Sequence, residues 1–208
     1  MKKIAYVLII MLAAAASVSA LDVSGGVKAG GGMVINGGDK ADNYDSTKLG
    51  YGFGGGAAFE MGFHPMAAVE VDVLYTFMNG YGQKLDGDIE FGSRVSTLEF
   101  PVLAKGRFEM GPGKLTVSAG PSMILLLGDM KTTTKLADDS ENETDVEFDN
   151  SFLLGVTGGI GYAMPAGPGD VTLDLRYTRT LTSMFDSTKS YYNRVDLLVG
   201  YSYCFLKK

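Results

Sequence analysis

Apolar and polar side chains alternate along most of the chain after Leu21. Between residues 69 and 77 every odd position is apolar or aromatic, whereas the even positions include Glu70, Asp72 and Thr76. A period of two is typical of a β-strand whose two faces meet different surroundings. The pattern recurs and predicts eight strands, near residues 22–36, 50–63, 67–78, 96–108, 114–128, 151–163, 170–184 and 192–205.

The connections between these strands alternate in length. After the second, fourth and sixth strands they are tight, at residues 64–66, 109–113 and 164–169. The others are longer and polar, for example 37–49 and 79–95. Short turns at one end and long loops at the other are typical of bacterial outer-membrane barrels, in which the turns face the periplasm. We therefore predict an all-β fold, an eight-stranded antiparallel up-and-down transmembrane β-barrel.

A soluble barrel would show the same alternation with its apolar face turned inward. Two features favour lipid on the outside. The polar face is rich in Gly, Ser and Thr, which suit a narrow interior. Aromatic residues also lie toward the strand ends of the apolar face, as a girdle at the membrane interface requires. They are Tyr51, Phe53, Phe63, Tyr75, Phe77, Phe108, Phe152, Tyr162, Tyr177, Tyr201, Tyr203 and Phe205.

The N-terminus has the features of a cleavable secretory signal. Lys2 and Lys3 precede an apolar stretch from Ile4 to Ala16, and small residues follow up to Ala20. A stretch of this length is too short to span a bilayer as a helix. We expect cleavage between Ala20 and Leu21, which divides the chain into a signal peptide, 1–20, and an outer-membrane barrel domain, 21–208.

Charge and composition narrow the possible partners. The formal net charge is −6 and becomes −8 once Lys2 and Lys3 are removed. Nucleic acid is not expected as a partner, because no basic stripe is present. Cys204 and His64 are the single Cys and the single His, so neither an internal disulfide nor a Cys/His metal site is predicted. No cofactor is expected.

Gly200, Tyr203 and Phe205 near the C-terminus resemble the terminal-strand signal read by the barrel assembly machinery. A second resemblance lies in the segment 98–105 (LEFPVLAK), followed by Gly113-Lys114-Leu115 and Ala119-Gly120-Pro121. It is similar to the outer-membrane β-barrel domain family that includes PorT-like proteins and small eight-stranded barrels of the OmpA, OmpX and OmpW type. The resemblance implies an outer-membrane location, with lipid and the assembly machinery as partners. It implies no particular chemistry.

The most distinctive candidate site is a set of charged residues on the predicted inner face. Because charges inside a narrow barrel are costly unless paired, we expect them to form a salt-bridged plug, with a polar conduction path and catalysis as alternatives. Carboxylates of the second and third strands lie beside Lys105 and Arg107, which suits pairing between neighbouring strands. The set is Lys28, Glu60, Glu70, Asp72, Glu99, Lys105, Arg107, Asp174, Arg176, Arg194 and Asp196.

Three functions remain open. The first is a barrel that presents surface loops for adhesion, partner contact or envelope integrity, and that is not an enzyme. The second is a transporter for small, possibly apolar solutes, based on inward apolar residues that could line a laterally open pocket. The third is a lipid-modifying enzyme, which His64 supports poorly because no Ser or carboxylate is aimed at it. The inward apolar residues are Leu74, Leu103, Ile124, Leu126, Leu153 and Leu198.

The longest predicted loop, 129–150, has eight acidic and two basic residues and a charge of −6. Such a segment is expected to be a solvated tip at the cell surface. Contact with a divalent cation or a basic partner is the alternative, although the spacing lacks the glycine and ordered ligands of a known calcium loop.

Overall fold

The computed structural model describes residues 22–38, 44–85, 89–135, 141–184 and 190–207. Nearly all of them lie in strands, and no helix among them could cross a membrane. The predicted cleavage site, Ala20 and Leu21, lies outside the described residues. The strands are β1 (Asp22–Gly38), β2 (Tyr44–His64), β3 (Ala67–Leu85), β4 (Ile89–Met110), β5 (Gly113–Lys135), β6 (Glu141–Val146), β7 (Phe152–Ala166), β8 (Gly169–Thr180) and β9 (Ser190–Lys207).

Eight of these strands close into an antiparallel barrel. Each pairs with its neighbour in the chain, and β1 pairs with β9 from Asp22 opposite Lys207 to Gly38 opposite Ser190. β6 is a short strand that pairs with β5 from Met130 to Lys135. This part of β5 lies beyond Leu125, the last residue that pairs with β7. The predicted eight-stranded barrel is confirmed, and β6 is an addition to one hairpin.

The three tight turns, at Pro65-Met66, Gly111-Pro112 and Gly167-Pro168, lie together at one end with both described chain ends. We call this the turn end, and the opposite end the loop end. Gly111 and Gly167 have φ values of +62° and +64°, so the second and third turns each use a glycine where other residues would be strained. These turns fall within the short connections predicted from the sequence.

The strands extend further toward the loop end than the apolar pattern indicates. β3 reaches Leu85 and β4 starts at Ile89, so most of the predicted loop 79–95 is strand. The predicted loop 129–150 is likewise largely an ordered hairpin of β5 and β6. Strand pairing beyond the bilayer needs no apolar outer face, so hydrophobic alternation fades before backbone pairing does.

The predicted strand 170–184 is too long. β8 ends at Thr180, opposite Gly155 of β7. The N–H groups of Leu181 and Thr182 then both donate to the carbonyl of Leu154, and the chain continues to Met184, which is buried. The prediction was wrong at this end because an apolar residue that fits the strand pattern fills the barrel mouth instead.

The apolar face is the outer one, as predicted. In β9, Leu197 and Val199 are about half exposed, whereas the preceding residue, Asp196, is 5% exposed. In β3 the outward apolar residues run from Val69 to Phe77, about 26 Å along the strand, which suits a hydrocarbon band. Tyrosines at both ends of the outer surface donate hydroxyl hydrogen bonds to other strands. At the loop end Tyr75 donates to Ser96, and at the turn end Tyr162 donates to the Met110 carbonyl.

Candidate functional site in the barrel lumen

The interior of the barrel contains ion pairs that connect strands on opposite walls. We call the eleven charged residues singled out from the sequence, together with Asp22, the lumen network. Alternation places every member on the inner face of its strand, and pairing with neighbouring strands sets its height in the barrel. The network has five cations and seven anions, and it forms clusters at different depths.

The central cluster is organised around Glu70 of β3. Its Oε1 accepts from Lys28 Nζ at 2.7 Å and from Arg176 Nη2 at 2.6 Å, and its Oε2 accepts from Lys105 Nζ at 2.6 Å. Glu70 is 3% exposed, so the three cations compensate a carboxylate that is removed from water.

Arg176 of β8 connects this cluster across the lumen. Its Nη1 donates to Asp72 Oδ2 on β3 at 2.5 Å, and its Nη2 lies 3.2 Å from Asp174 Oδ2 on its own strand. Lys28 Nζ is also 2.9 Å from Asp174 Oδ2. Asp72 is fully buried. One guanidinium therefore contacts carboxylates from both sides of the barrel.

A second cluster lies closer to the loop end. Arg194 of β9 reaches across to Glu99 of β4 with both terminal nitrogens, and Nη2 is 2.9 Å from Oε2. Its Nε donates to Asp196 Oδ2 at 2.5 Å. Thr97 donates to Glu99 Oε1 at 3.0 Å, so this carboxylate also has a neutral partner. Bidentate contacts, such as that between Arg194 and Glu99, hold both side chains in a defined geometry.

A third group lies at the turn end. Arg107 binds the Asp22 carboxylate with both terminal nitrogens, at 2.9 and 3.1 Å, and also donates to Glu60 and to the His64 carbonyl. Lys105 Nζ lies 2.7 Å from Glu60 Oε2 and links this group to the central cluster. The ion pairs are therefore continuous from the turn end to the middle of the barrel.

Sequence reasoning identified the inner charges and the partners of Lys105 and Arg107 on the second and third strands, but not the pairs that cross the lumen. It proposed pairing between neighbouring strands, and the contact between Lys105 and Glu70 is of that kind. The pairs Arg176–Asp72 and Arg194–Glu99 instead cross the lumen. Asp22 was missed, although it has the same parity as Lys28 on β1, and that parity was the available signal.

On the loop-end side of the lumen network, the lumen is filled by a buried apolar cluster, which we call the mouth cluster. Strand residues form most of it. Met184 and Phe148 come from the segments outside the strands, and Asn150 holds these segments together through its N–H, which donates to the Met184 carbonyl at 3.2 Å. The members are Val34, Met78, Val95, Ile124, Leu126, Leu153 and Met184, with Met130 and Phe148 packed against them.

The described residues leave the turn end of the lumen open. A polar recess of about 710 Å³ lies there, lined by residues that include Asp22, Glu109, Lys114 and Asp170. A smaller cavity of about 50 Å³, bordered by Lys28 and other charges of the network, shares part of the same lining and has room for a few water molecules. The described residues therefore leave the lumen network accessible to solvent from the turn end.

The remaining residues singled out from the sequence contribute no side chain to the lumen network, although the His64 carbonyl accepts from Arg107 and Gly200 lies opposite Lys28 in the strand register. His64 is exposed at the first turn, and its Nδ1 accepts from the Met66 N–H at 3.2 Å. Gly200, Tyr203 and Phe205 lie in β9, where the rings of Tyr203 and Phe205 meet edge to face on the outer surface. Among the described residues, no group of three or more His, Cys, Asp or Glu side chains could hold a metal ion.

Several solved outer-membrane proteins resemble this chain in structure at low sequence identity. The attachment invasion locus protein Ail of Yersinia pestis, crystallised with the heparin analogue sucrose octasulfate, has 14% identity and a TM-score of 0.42, with coverage of 88% of this chain and 99% of that one. Neisserial surface protein A has 16% identity and a TM-score of 0.43, with coverage of 85% and 95%. OprG of Pseudomonas aeruginosa has 12% identity and a TM-score of 0.46, with coverage of 91% and 99%.

No curated protein matches the sequence. The family model described as outer membrane protein beta-barrel domain, in contrast, matches residues 6–205, nearly the whole chain. The chain therefore belongs to the outer membrane protein beta-barrel domain family and is an integral protein of the cell outer membrane.

Proposed function

We propose that this protein is a non-enzymatic outer-membrane barrel with a plugged lumen, which presents its loop-end strands at the cell surface for contact with a partner or for envelope integrity. The observation that carries the proposal is the filling of the lumen. Ion pairs connect opposite walls at mid-depth, and the mouth cluster closes the loop end. An eight-stranded barrel is just wide enough for side chains to fill it.

The loop-end strands supply the surface for such contact. β3 continues for eight residues beyond Phe77, about 26 Å along the strand. The β5–β6 hairpin rises in the same direction. A sulfated polyanion, the kind of ligand named for the Yersinia protein, would be repelled by the acidic segment 129–150, so the proposal does not include one.

Chemical labelling of intact cells tests the proposed orientation. In a Cys204→Ser background, Glu143→Cys places a thiol on β6 and Glu109→Cys places one beside the turn at Gly111. A membrane-impermeant maleimide should label the first variant on intact cells and the second only after lysis. The intact mass of the labelled protein should correspond to a chain that starts at Leu21. Labelling of only the Glu109→Cys variant on intact cells would mean that the orientation is inverted.

A transporter for small apolar solutes is the second candidate, and the composition of the mouth cluster is the observation that favours it. Met184 and Phe148 close the mouth from segments outside the strands, so they can move without breaking the barrel. Methionine side chains also adapt readily to different apolar contacts. In this function the mouth cluster would be an entry site that opens, and in the first it is a permanent seal.

A further inference from the structure

At the loop end, β6 is a strand with one edge that no strand of the described residues pairs with. Within the described residues it pairs with β5 alone, from Met130 opposite Val146 to Lys135 opposite Glu141. β7 begins only at Phe152, and β8 ends at Thr180 before its chain turns toward Met184. No described strand therefore occupies the position beside β6, and every second residue of β6 directs its backbone N–H and C=O groups away from β5.

The charges on and after this edge are all of one sign. Glu143 and Asp145 are exposed and lie on the same face of β6, and Glu147 and Asp149 follow. Cations near the β6 carboxylates compensate them only in part: in the strand register Lys131 of β5 lies opposite Asp145 and Lys135 lies opposite Glu141. Arg94 lies 3.6 Å from Glu143 with both side chains about half exposed, and an ion pair of that kind is weak.

The backbone edge and its negative charge together determine which kind of partner could pair with β6. A second copy of the chain would place carboxylates opposite carboxylates if β6 paired with β6, which is unfavourable. An extended segment with alternating basic side chains would satisfy the backbone edge and place its cations beside Glu143 and Asp145. We infer that the free edge of β6 binds a basic, extended peptide segment of a partner by adding it as a further strand. This inference rests on the proposed surface presentation and names the class of partner.

The test uses the purified barrel in detergent micelles and a fluorescent peptide of alternating lysine and threonine. Anisotropy should show saturable binding at moderate salt. Two control peptides separate the contributions of backbone hydrogen bonds and of charge to binding. Methylation of alternate backbone nitrogens keeps the charge but removes hydrogen-bond donors, and replacement of lysine by glutamate reverses the charge. Neither control should bind measurably. Equal binding of the methylated peptide would show charge attraction alone and would overturn the inference.

Matched variants locate the site. Glu143→Gln combined with Asp145→Asn should weaken binding about tenfold, because two charged cross-strand pairs are lost. Glu109→Gln combined with Asp170→Asn removes the same charge at the turn end and should leave binding unchanged. Unchanged binding in the first variant, or a dimer that competes with the peptide, would contradict the inference. If thiols on β6 are labelled on intact cells while the peptide fails to bind, surface presentation stands and only this inference fails.

Discussion

At the scale of single residues, the lumen network shows how a membrane protein accommodates charge. Glu70 receives three cations and Arg176 contacts three carboxylates, so the charges of the central cluster are shared among several partners. Such an arrangement is not strong evidence of added stability, since desolvation offsets much of the attraction. Its clearest consequence concerns removal of one member, because the others are then left without full compensation.

Arg176→Gln should therefore destabilise the barrel by about 3–5 kcal/mol, the usual range when a buried ion pair loses one partner. Adding Asp72→Asn should restore part of this loss, because the carboxylate left without its guanidinium is then neutral. Urea unfolding in detergent, followed by the change in gel migration between folded and unfolded barrel, gives both values. Equal midpoints for the wild type and Arg176→Gln would indicate a wet, open lumen at this depth.

At the scale of elements, β1 and β2 owe their close pairing with neighbouring strands to inward-facing glycines. A Cβ atom added at Gly30 would lie 2.0 Å from the Leu197 carbonyl oxygen, and one at Gly56 would lie 1.8 Å from that of Val73. Backbone atoms cannot move aside as a flexible side chain could. The glycine runs of these strands thus permit the tight curvature of a narrow barrel, and they are not phosphate-binding loops.

Gly56→Ala should accordingly destabilise the barrel by roughly 2 kcal/mol or more, through strain in the β2–β3 pairing. Gly92→Ala in β4 is the matched control. A Cβ there would meet no atom within 4 Å, so its effect should stay within about 0.5 kcal/mol. The same unfolding measurement compares the two variants. A loss of equal size at both positions would mean that close approach to the neighbouring backbone is not the cause, because the lower entropy of the unfolded chain favours alanine over glycine.

At the scale of the whole molecule, the barrel is asymmetric along its axis. The turn end has a polar recess that leads toward the ion pairs, and the loop end has an apolar seal. The two proposed functions differ in what this seal does. A plugged scaffold keeps it closed, whereas a transporter opens it.

Liposome permeation distinguishes these functions. For a plugged barrel, an apolar dye should enter protein-containing and empty liposomes at the same rate, and planar bilayers should show no stable channel of large conductance. Met184→Gly combined with Phe148→Gly removes the two side chains contributed from outside the strands. It should raise dye entry only if the lumen beneath can pass a solute, while Met66→Gly at the turn end serves as the control. Faster dye entry with the wild-type protein would favour the transporter.

The amino-acid sequence by itself determined the barrel, its strand number, the outward direction of its apolar face and the inward position of its charges. These properties depend on a period of two and on turn residues such as Gly167 and Pro168, which are local in the chain. Only the tertiary structure decided that Arg176 meets Asp72 and that Arg194 meets Glu99. Barrel closure and register bring these strands to opposite walls at equal depth. Neither closure nor register can be predicted from the sequence of any one strand. The burial of Met184 and the edge of β6 that no described strand pairs with have the same origin, since β8 ends and β6 begins where pairing between distant segments permits.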